Sequence, residues 1–284
     1  MIPVLSRNAK EFWRRYSKNR MAVAGLAVTA FFIMVAFLAD YLAPFDPLRV
    51  GVAKVLQNPI PGFPMGSDHL GRDILSGVIH GARVSLIIGF AAAGMSAILG
   101  VLIGAISGYS GGTMDTVLMR ITEIFQVIPS FFLAILLVVF FGASVWNVTF
   151  VIGILSWPRS ARLLRAEFLS IRTKEFVQAA RSVGEKNLFI IFSEVLPNAI
   201  PPVVVNTSLE VGRAIITEAA LAFFGLSDPS AVSWGMMLRN AQAYLRQSWW
   251  TAAFPGICIF LLVAALNLVG DGLNDAMNPR LKER

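Results

Sequence analysis

The stretch VSLIIGFAAAGMSAILGVLIGAI, residues 84–106, runs for 23 residues without a charged side chain. A helix needs about 20 mostly apolar residues to cross the hydrocarbon core of a bilayer, so this stretch is long enough to span a membrane. A second uncharged run, residues 21–39, contains 19 residues. The whole chain is 56% hydrophobic and 14% charged, which is typical of a membrane protein and not of a soluble domain.

Six apolar segments of this kind predict six transmembrane spans. Backbone N–H and C=O groups in lipid must be paired within the segment that crosses it, so each span is predicted to be a helix. The predicted fold class is all-α, a polytopic membrane protein with an N-terminal transmembrane helix added to a five-helix core. The predicted spans cover residues 21–39, 84–106, 124–142, 144–157, 198–224 and 251–270.

The distribution of Lys and Arg predicts the orientation of these spans. With the N-terminus in the cytoplasm, 17 of the 24 basic residues lie on the cytoplasmic side, as the positive-inside rule expects. This gives a cytoplasmic tail (1–20), a first helix with an extracytoplasmic segment (21–82), a core (83–272) containing a cytoplasmic loop at about 157–197, and a cytoplasmic tail (273–284). Basic residues that flank spans meet anionic lipid heads, so the net charge of +7 does not require nucleic acid.

The chain contains no motif that predicts catalysis by the chain alone. It lacks the Gly-x-x-x-x-Gly-Lys-Ser/Thr string that cradles nucleotide phosphates. The two histidines, His69 and His80, lie eleven residues apart without a metal-ligand partner at useful spacing. We therefore expect no catalytic residue, no metal site and no cofactor held by this chain, and a membrane enzyme is the weakest hypothesis.

Glycine and proline positions predict packing and bends within the spans. Gly100 and Gly104 are one helical turn apart in the second span and permit close approach of a neighbouring helix. Pro129 near the start of the third span predicts a kink, because proline lacks the N–H that an intact helix needs.

The loop at 157–197 predicts a helix, a turn and a second helix. As a helix, EFVQAAR from Glu175 would place Phe176, Ala179 and Ala180 on one face. Gly184 allows a sharp turn. A second helix over 188–196 is predicted to stop at Pro197. From the residues alone, this segment is either a compact knob that enters a partner's groove or an amphipathic element on the membrane surface.

The fifth span contains three charged residues, Glu210, Arg213 and Glu218. Charges at mid-depth cost about 2.5 to 3.5 kcal/mol each on insertion scales, so they are expected to face a pathway or another helix. Glu210 and Arg213 are three residues apart and can pair, and Glu218 is predicted to continue that face outward. Such a lining would suit zwitterionic peptides, and an ion pair that locks the helix to a sister subunit is the equal alternative.

The segment GSDHLGRD, residues 66–73, predicts a local ion-pair or capping set of Asp68, Arg72 and Asp73. Ser67 or Asp68 is the expected N-cap of a short helix on the outer membrane surface. These residues are candidates for the extracytoplasmic mouth or for contact with a binding protein.

Two resemblances identify a family. Gln178-Ala179-Ala180, Gly184 and Leu196-Pro197 resemble the EAA loop of ABC importer permeases, the segment that docks onto the ATP-hydrolysing subunit in that family. Here Gln178 stands where the motif has Glu, and Glu194 stands where an apolar residue is common. The resemblance implies an ATPase-coupling role for Phe176 and for the quoted motif residues.

The second resemblance is to the C-type permeases of oligopeptide, dipeptide and nickel importers. It extends over nearly the whole chain and includes the external segment with Asp228 and Trp234, which joins Asp68, Arg72 and Asp73 as a candidate for the mouth. The segments that carry it are 19–22, 40–44, 66–73, 75–76, 81–86, 225–229 and 233–235.

This second resemblance implies a permease subunit for ATP-driven uptake of short peptides, in the plasma membrane of a prokaryote, or in the inner membrane if it is Gram-negative. The implied partners are a homologous B-type permease, two ATP-binding subunits that hold ATP and Mg, an extracytoplasmic substrate-binding protein and membrane lipids. Nickel and oligosaccharides are alternative cargoes within the same architecture. A self-associating channel or membrane scaffold without a motor is the alternative from another class.

Overall fold

The computed structural model describes residues 10–277, and the regular elements in that range are helices. Residues 10–16 are helical, a one-turn helix covers Ala39–Leu42, and a 3-10 turn covers Gln242–Tyr244. The longer helices are α1 (Arg20–Phe37), α2 (Ile74–Ser110), α3 (Gly112–Val127), α4 (Ser130–Phe141), α5 (Val145–Ile171), α6 (Glu175–Ser182), α7 (Asn187–Phe223), α8 (Trp234–Ala241) and α9 (Trp250–Met277). The predicted tails reach into residues 1–9 and 278–284, which lie outside the described part.

The all-α membrane class is confirmed, whereas the count of six spans is not. Within residues 10–277, α1, α2, α7 and α9 are long and apolar enough to cross a membrane. The pair α3 and α4 makes a fifth if it is one broken span. The predicted fourth span is the first half of α5, whose second half carries Arg159, Arg162 and Arg165. Those arginines were assigned to a loop from sequence, but they are helical.

A bend of 85° separates α3 from α4, at the Pro129 kink that the sequence predicts. Ile128 has φ −82° and ψ +128°, an extended conformation, because the residue before a proline is sterically excluded from the α region. The predicted third span is therefore two helices at a large angle, and its inner residues line a cavity described below.

Helices α2 and α5 form the closest helix pair, through the glycines that predicted close packing. A Cβ added to Gly100 would lie 2.4 Å from the Ser160 Cβ, and one added to Gly104 would lie 2.6 Å from the Ala161 carbonyl oxygen. Gly108 continues the row against Phe168. The backbones touch along about two turns, since glycine leaves no side chain between them.

Helix α7 begins at Asn187, eleven residues before the predicted start of the fifth span. Its first part includes a π-helical segment, Ile190–Val195, in which the Leu196 N–H donates to the Ile191 carbonyl five residues back. The prediction that Pro197 stops a helix is wrong. The wider π turn before Pro197 accommodates a residue that lacks an N–H, and the chain continues as an α-helix. The cytoplasmic loop predicted at 157–197 therefore reduces to α6 and its flanking turns.

Helix α1 packs against both α9 and α2. Gly25 packs against α9, where an added Cβ would lie 2.7 Å from the Ala265 carbonyl oxygen. At the end of α1, Arg83 of α2 forms a double ion pair with Asp40, with N–O distances of 3.1 and 2.9 Å. The Arg83 hydrogen bond holds the pKa of the Asp40 carboxyl below its ordinary value.

Candidate functional site

A cavity of about 500 Å³ lies where the bend between α3 and α4 faces α5 and α7. Pro129 borders it from the bend and Pro158 borders it from α5. The cavity is partly open to the surroundings of the chain. Its remaining lining combines apolar and neutral polar side chains with three charged ones, Arg159, Glu210 and Arg213.

The charged pair on α7 is held by a short polar network. Arg213 Nε lies 3.0 Å from Glu210 Oε2, an ion pair in which the N–H does not point directly at the oxygen. Arg213 Nη2 also donates to Asn206 Oδ1 at 3.2 Å, and Asn206 Nδ2 donates to Ser160 Oγ of α5 at 3.1 Å. The pairing expected from the three-residue spacing is present, and it is connected to the closely packed α2–α5 pair.

Glu218 is not part of this network. Its side chain is 3% exposed and borders a separate cavity of about 10 Å³ beside Ser233 and Asp228. An α-helix advances about 100° per residue, so eight residues turn Glu218 about 80° away from Glu210. The expectation that Glu218 continues the Glu210 face is therefore wrong in position, and Thr217 lines the larger cavity instead.

The segment between the end of α5 and the start of α7 has the predicted helix and the predicted glycine turn. Helix α6 ends in a paired hydrogen-bond cap in which the Glu185 N–H donates to the Ala180 carbonyl and the Gly184 N–H donates to the Arg181 carbonyl. This arrangement requires a left-handed residue after the helix, and Gly184 has φ +88°. Gln178 Nε2 donates to the Arg172 carbonyl at 3.0 Å, which fastens the entry of α6 to the end of α5.

The buried face of α6 differs from the expectation. Val177 is fully buried and Ala180 is half-buried against the same core, whereas Phe176 and Ala179 point away from it. Five large apolar side chains of this region are exposed to between 40% and 83%, and we call them the elbow patch: Phe176, Val183, Leu188, Phe189 and Phe192. Leu196 is half-buried and Pro197 exposed at the start of the α-helical part of α7.

Tyr109 at the end of α2 contacts both sides of the elbow, the name we give to α6 and the start of α7. Its hydroxyl donates to Asn187 Oδ1 at 2.8 Å, and the Arg181 guanidinium lies 5.5 Å from its ring centroid, at the edge of cation–π range. Arg172 adds hydrogen bonds to the Gly108 and Tyr109 carbonyls at 3.0 and 3.3 Å. A force on α6 or on the start of α7 therefore acts on α2 through direct contacts.

The segment before α2 forms the predicted ion pair without the predicted surface helix. Asp68 accepts from Arg72 Nε at 2.6 Å and from the Leu70 and Arg72 N–H groups. The N-cap is Asp73, whose carboxylate accepts from the Ser76 N–H at 2.8 Å, and the helix that it begins is α2 itself. The expectation of Ser67 or Asp68 as the cap is wrong, since Ser67 pairs with a neighbouring turn.

Two further candidates for the mouth lie inside the fold or at a helix end. Trp234 is fully buried and donates from Nε1 to the Val78 carbonyl at 2.9 Å. Asp228 accepts from the Val145 N–H at 3.2 Å and from Ser230, and so caps the N-terminus of α5. These hydrogen bonds hold the pKa of the Asp228 carboxyl below its ordinary value. The side chains of Asp68, Asp73 and Trp234 are buried, so a partner would contact the residues around them instead.

Sequence reasoning missed three residues of these sites: Arg159, Asn206 and Tyr109. Arg159 was counted among loop charges because charges follow it at 162 and 165. The signal that could have found it is its place directly after an apolar helical run and Pro158. Asn206, four residues before Glu210, lies on the same helical face as the charged pair. Tyr109 carried no signal, since its partners are more than 70 positions away.

Comparison with known proteins supports one family for the chain. Residues 100–283 match the model described as binding-protein-dependent transport system inner membrane component, and residues 8–59 match the N-terminal TM domain of oligopeptide transport permease C. The chain is 38% identical to the di/tripeptide transport system permease protein DppC of Pseudomonas aeruginosa (strain UCBPP-PA14), covering 96% of this chain and 92% of that protein.

Other relatives and one solved structure are consistent with this assignment. The glutathione transport system permease protein GsiD of Pectobacterium atrosepticum is 36% identical, covering 96% of this chain and 91% of that protein. The inward-facing MetNI methionine ABC transporter has a TM-score of 0.62 at 17% identity, over 72% of this chain and 98% of that one. That likeness supports the fold alone. In this family ATP and Mg belong to separate ATPase subunits. The chain therefore belongs to the binding-protein-dependent transport system inner membrane components, as a C-type permease subunit of the peptide ABC importers.

Proposed function

We propose that this subunit forms, together with a homologous B-type permease, the path by which short peptides enter the cell. The observation that carries the proposal is the cavity bounded by α3, α4, α5 and α7, which this chain leaves partly open and which a second permease would close. Relatives named for di/tripeptide, dipeptide and glutathione transport support a peptide cargo.

The depth of the cavity supports its role as part of a path. Arg159 lies fourteen residues from the Val145 end of α5, about 21 Å at the helical rise. Arg213 lies ten residues from the Phe223 end of α7, about 15 Å. Both ends are on the same side, because Asp228 after α7 caps α5. In a hydrocarbon core about 30 Å thick, Arg213 would lie near the middle and Arg159 about two-thirds of the way across.

We assign the elbow patch as the docking surface for an ATP-hydrolysing subunit. Its exposed apolar side chains would be costly in water, and a soluble partner would bury them. The Schellman-type turn at Gly184 and the Tyr109 contacts would pass the partner's movement to α2. This assignment places the elbow and both termini in the cytoplasm and α8 on the outside, near an extracytoplasmic binding protein.

Isolation of the native assembly and transport by the reconstituted assembly test the proposal. Mild-detergent isolation followed by mass spectrometry should recover a second permease, two ATPase subunits and a binding protein. In proteoliposomes with these partners, a labelled dipeptide should accumulate only with ATP. Uptake of nickel or an oligosaccharide in place of peptide would change the cargo. A stable homo-oligomer without an ATPase would refute the importer in favour of a channel or scaffold.

A substitution in the elbow patch tests the docking assignment separately. Val183 is 83% exposed, so Val183→Glu should not disturb folding of this chain. It should weaken ATPase binding, because a charge would have to be buried against the partner. Val50, 61% exposed on the opposite side of the chain, is the control, and Val50→Glu should leave ATPase binding unchanged. Equal ATPase binding by both variants would remove the elbow patch as the docking surface.

A further inference from the structure

Arg159 is a charged residue in the cavity that the chain itself does not neutralise. It is exposed, and it forms no ion pair or hydrogen bond with any residue from 10 to 277. Three other arginines near it are engaged: Arg165 holds Asp115 through two N–O contacts of 2.6 Å, Arg172 caps α2, and Arg213 holds Glu210. Arg162 is exposed and forms no ion pair or hydrogen bond within the described residues, but it does not line the cavity.

The position of Arg159 requires an anion or water. A charge inside the hydrocarbon core is costly, so the guanidinium of Arg159 is not expected to face lipid. Arg159 lines the cavity of about 500 Å³ directly after Pro158. With Arg159 and Arg213 against Glu210, the three charged residues of the lining sum to +1, and Arg213 is already paired.

The chemistry of the guanidinium defines its partner. Its planar fork of N–H donors matches the two oxygens of a carboxylate and binds them in parallel. A peptide at neutral pH carries a terminal carboxylate, because the pKa of that group is about 3.3 to 3.7. A cavity of this size is within the range that holds small organic ligands, and the neutral polar side chains Gln126, Ser130 and Ser156 leave room for hydrogen bonds to a peptide backbone.

We propose that Arg159 binds the terminal carboxylate of a peptide in transit, at a transient binding site inside the path. This inference rests on the proposed peptide-uptake function. It assigns Arg159 a role in recognising the cargo, while the Glu210–Arg213 pair keeps the rest of the cavity close to neutral.

The test compares a peptide that ends in a free carboxylate with the same peptide amidated at its C-terminus. The full complex is reconstituted with its binding protein, and the loaded fraction of the binding protein is measured for each peptide so that rates are compared at equal loading. Wild type should transport the free acid faster. Arg159→Gln should slow the free acid by about 10- to 100-fold and bring the two rates together, while Arg159→Lys should restore part of the difference.

Arg162→Gln is the matched control, because Arg162 is exposed on the same helix and does not line the cavity. It should keep the wild-type preference. Loss of assembly in Arg159→Gln would assign Arg159 to the permease interface and overturn the proposal. An equal loss of acid and amide uptake, or unchanged uptake, would overturn it as well. Absence of any peptide uptake by wild type would instead overturn the proposed function, and this inference with it.

Discussion

Gly184→Ala tests whether the turn after α6 transmits the movement of a partner. Gly184 has φ +88°, and nothing lies within 4 Å of a Cβ added there. The substitution therefore causes no crowding, and its cost comes from the left-handed backbone alone, about 1–2 kcal/mol for a residue with a Cβ. The chain can relieve this strain by opening the last turn of α6, which moves Val183 of the elbow patch.

The expected effect on transport follows from that cost. At 1.4 kcal/mol for each factor of ten, a penalty of about 1–2 kcal/mol on the docking-competent turn lowers ATP-driven uptake by about 5- to 30-fold. The transmembrane part should stay folded, because a Cβ added at Gly184 meets no atom of the spans within 4 Å. Uptake in proteoliposomes measures transport. Stimulation of ATP hydrolysis by the loaded binding protein measures coupling to the ATPase subunits, and thermal unfolding of the purified complex measures whether the fold is retained.

Gly142→Ala provides the matched control. Gly142 has φ +87° and also has nothing within 4 Å of an added Cβ, but it follows α4 at the end away from the elbow. Gly142 also has ψ +148°, close to a region that is essentially restricted to glycine, so the control carries a backbone strain of its own and should retain uptake. Wild-type uptake by Gly184→Ala would refute the transmission of movement through this turn, and an equal loss in Gly142→Ala would show that strain anywhere in the chain suffices.

Three further predictions concern packing, a buried hydrogen bond and pH. Gly100→Ala should destabilise the complex by about 1–3 kcal/mol, because its Cβ would lie 2.4 Å from a side chain of α5, whereas Gly94→Ala on the same helix meets nothing within 4 Å and should unfold like wild type. Trp234→Phe should lower stability by about 1–3 kcal/mol through the lost donor to the Val78 carbonyl and leave binding-protein affinity unchanged, since the side chain is fully buried; a loss of affinity with unchanged melting would contradict this. The lowered pKa of Asp228 predicts stabilisation that is present above about pH 4 and lost as pH falls, so melting curves of wild type and Asp228→Asn should converge on acidification, and a constant gap would argue against it.

Long uncharged runs allowed α1, α2 and α9 to be predicted from sequence. Lipid forces such runs to pair their backbone groups internally, so composition alone gives both the location and the helical state. The same argument is weaker for α5, where three arginines follow the apolar half. There the sequence predicted a loop, but one helix continues: Arg165 pairs with Asp115 and Arg159 lines a polar cavity, while Arg162 is exposed.

Proline gave one correct prediction and one wrong one. Pro129 breaks the third span because the preceding residue, Ile128, takes the extended conformation that a following proline favours. Pro197 follows a π-helical segment, and the wider turn of that segment accommodates a residue without an N–H donor. The difference between the two prolines depends on the hydrogen-bond register of the preceding turn, which the residue types do not specify.

The candidate sites divide in the same way between local and distant information. The Glu210–Arg213 pair and the Gly184 turn depend on spacing within a few residues, and both could be predicted. The contacts of Tyr109, the buried position of Trp234 and the cavity-lining position of Arg159 depend on elements brought together from far along the chain. Spacing carries no information about those contacts.

The row of glycines between α2 and α5 has a mechanical consequence. With backbone against backbone, these helices cannot slide or rotate separately by small side-chain adjustments, so they move together as one stiff rod. At 1.5 Å per residue the 27 residues of α5 give this rod a length of about 40 Å, and a tilt of about 5° at the elbow displaces its far end by about 3.5 Å. A small rotation at the elbow would thus widen or narrow a passage for a single peptide at the far end of the rod.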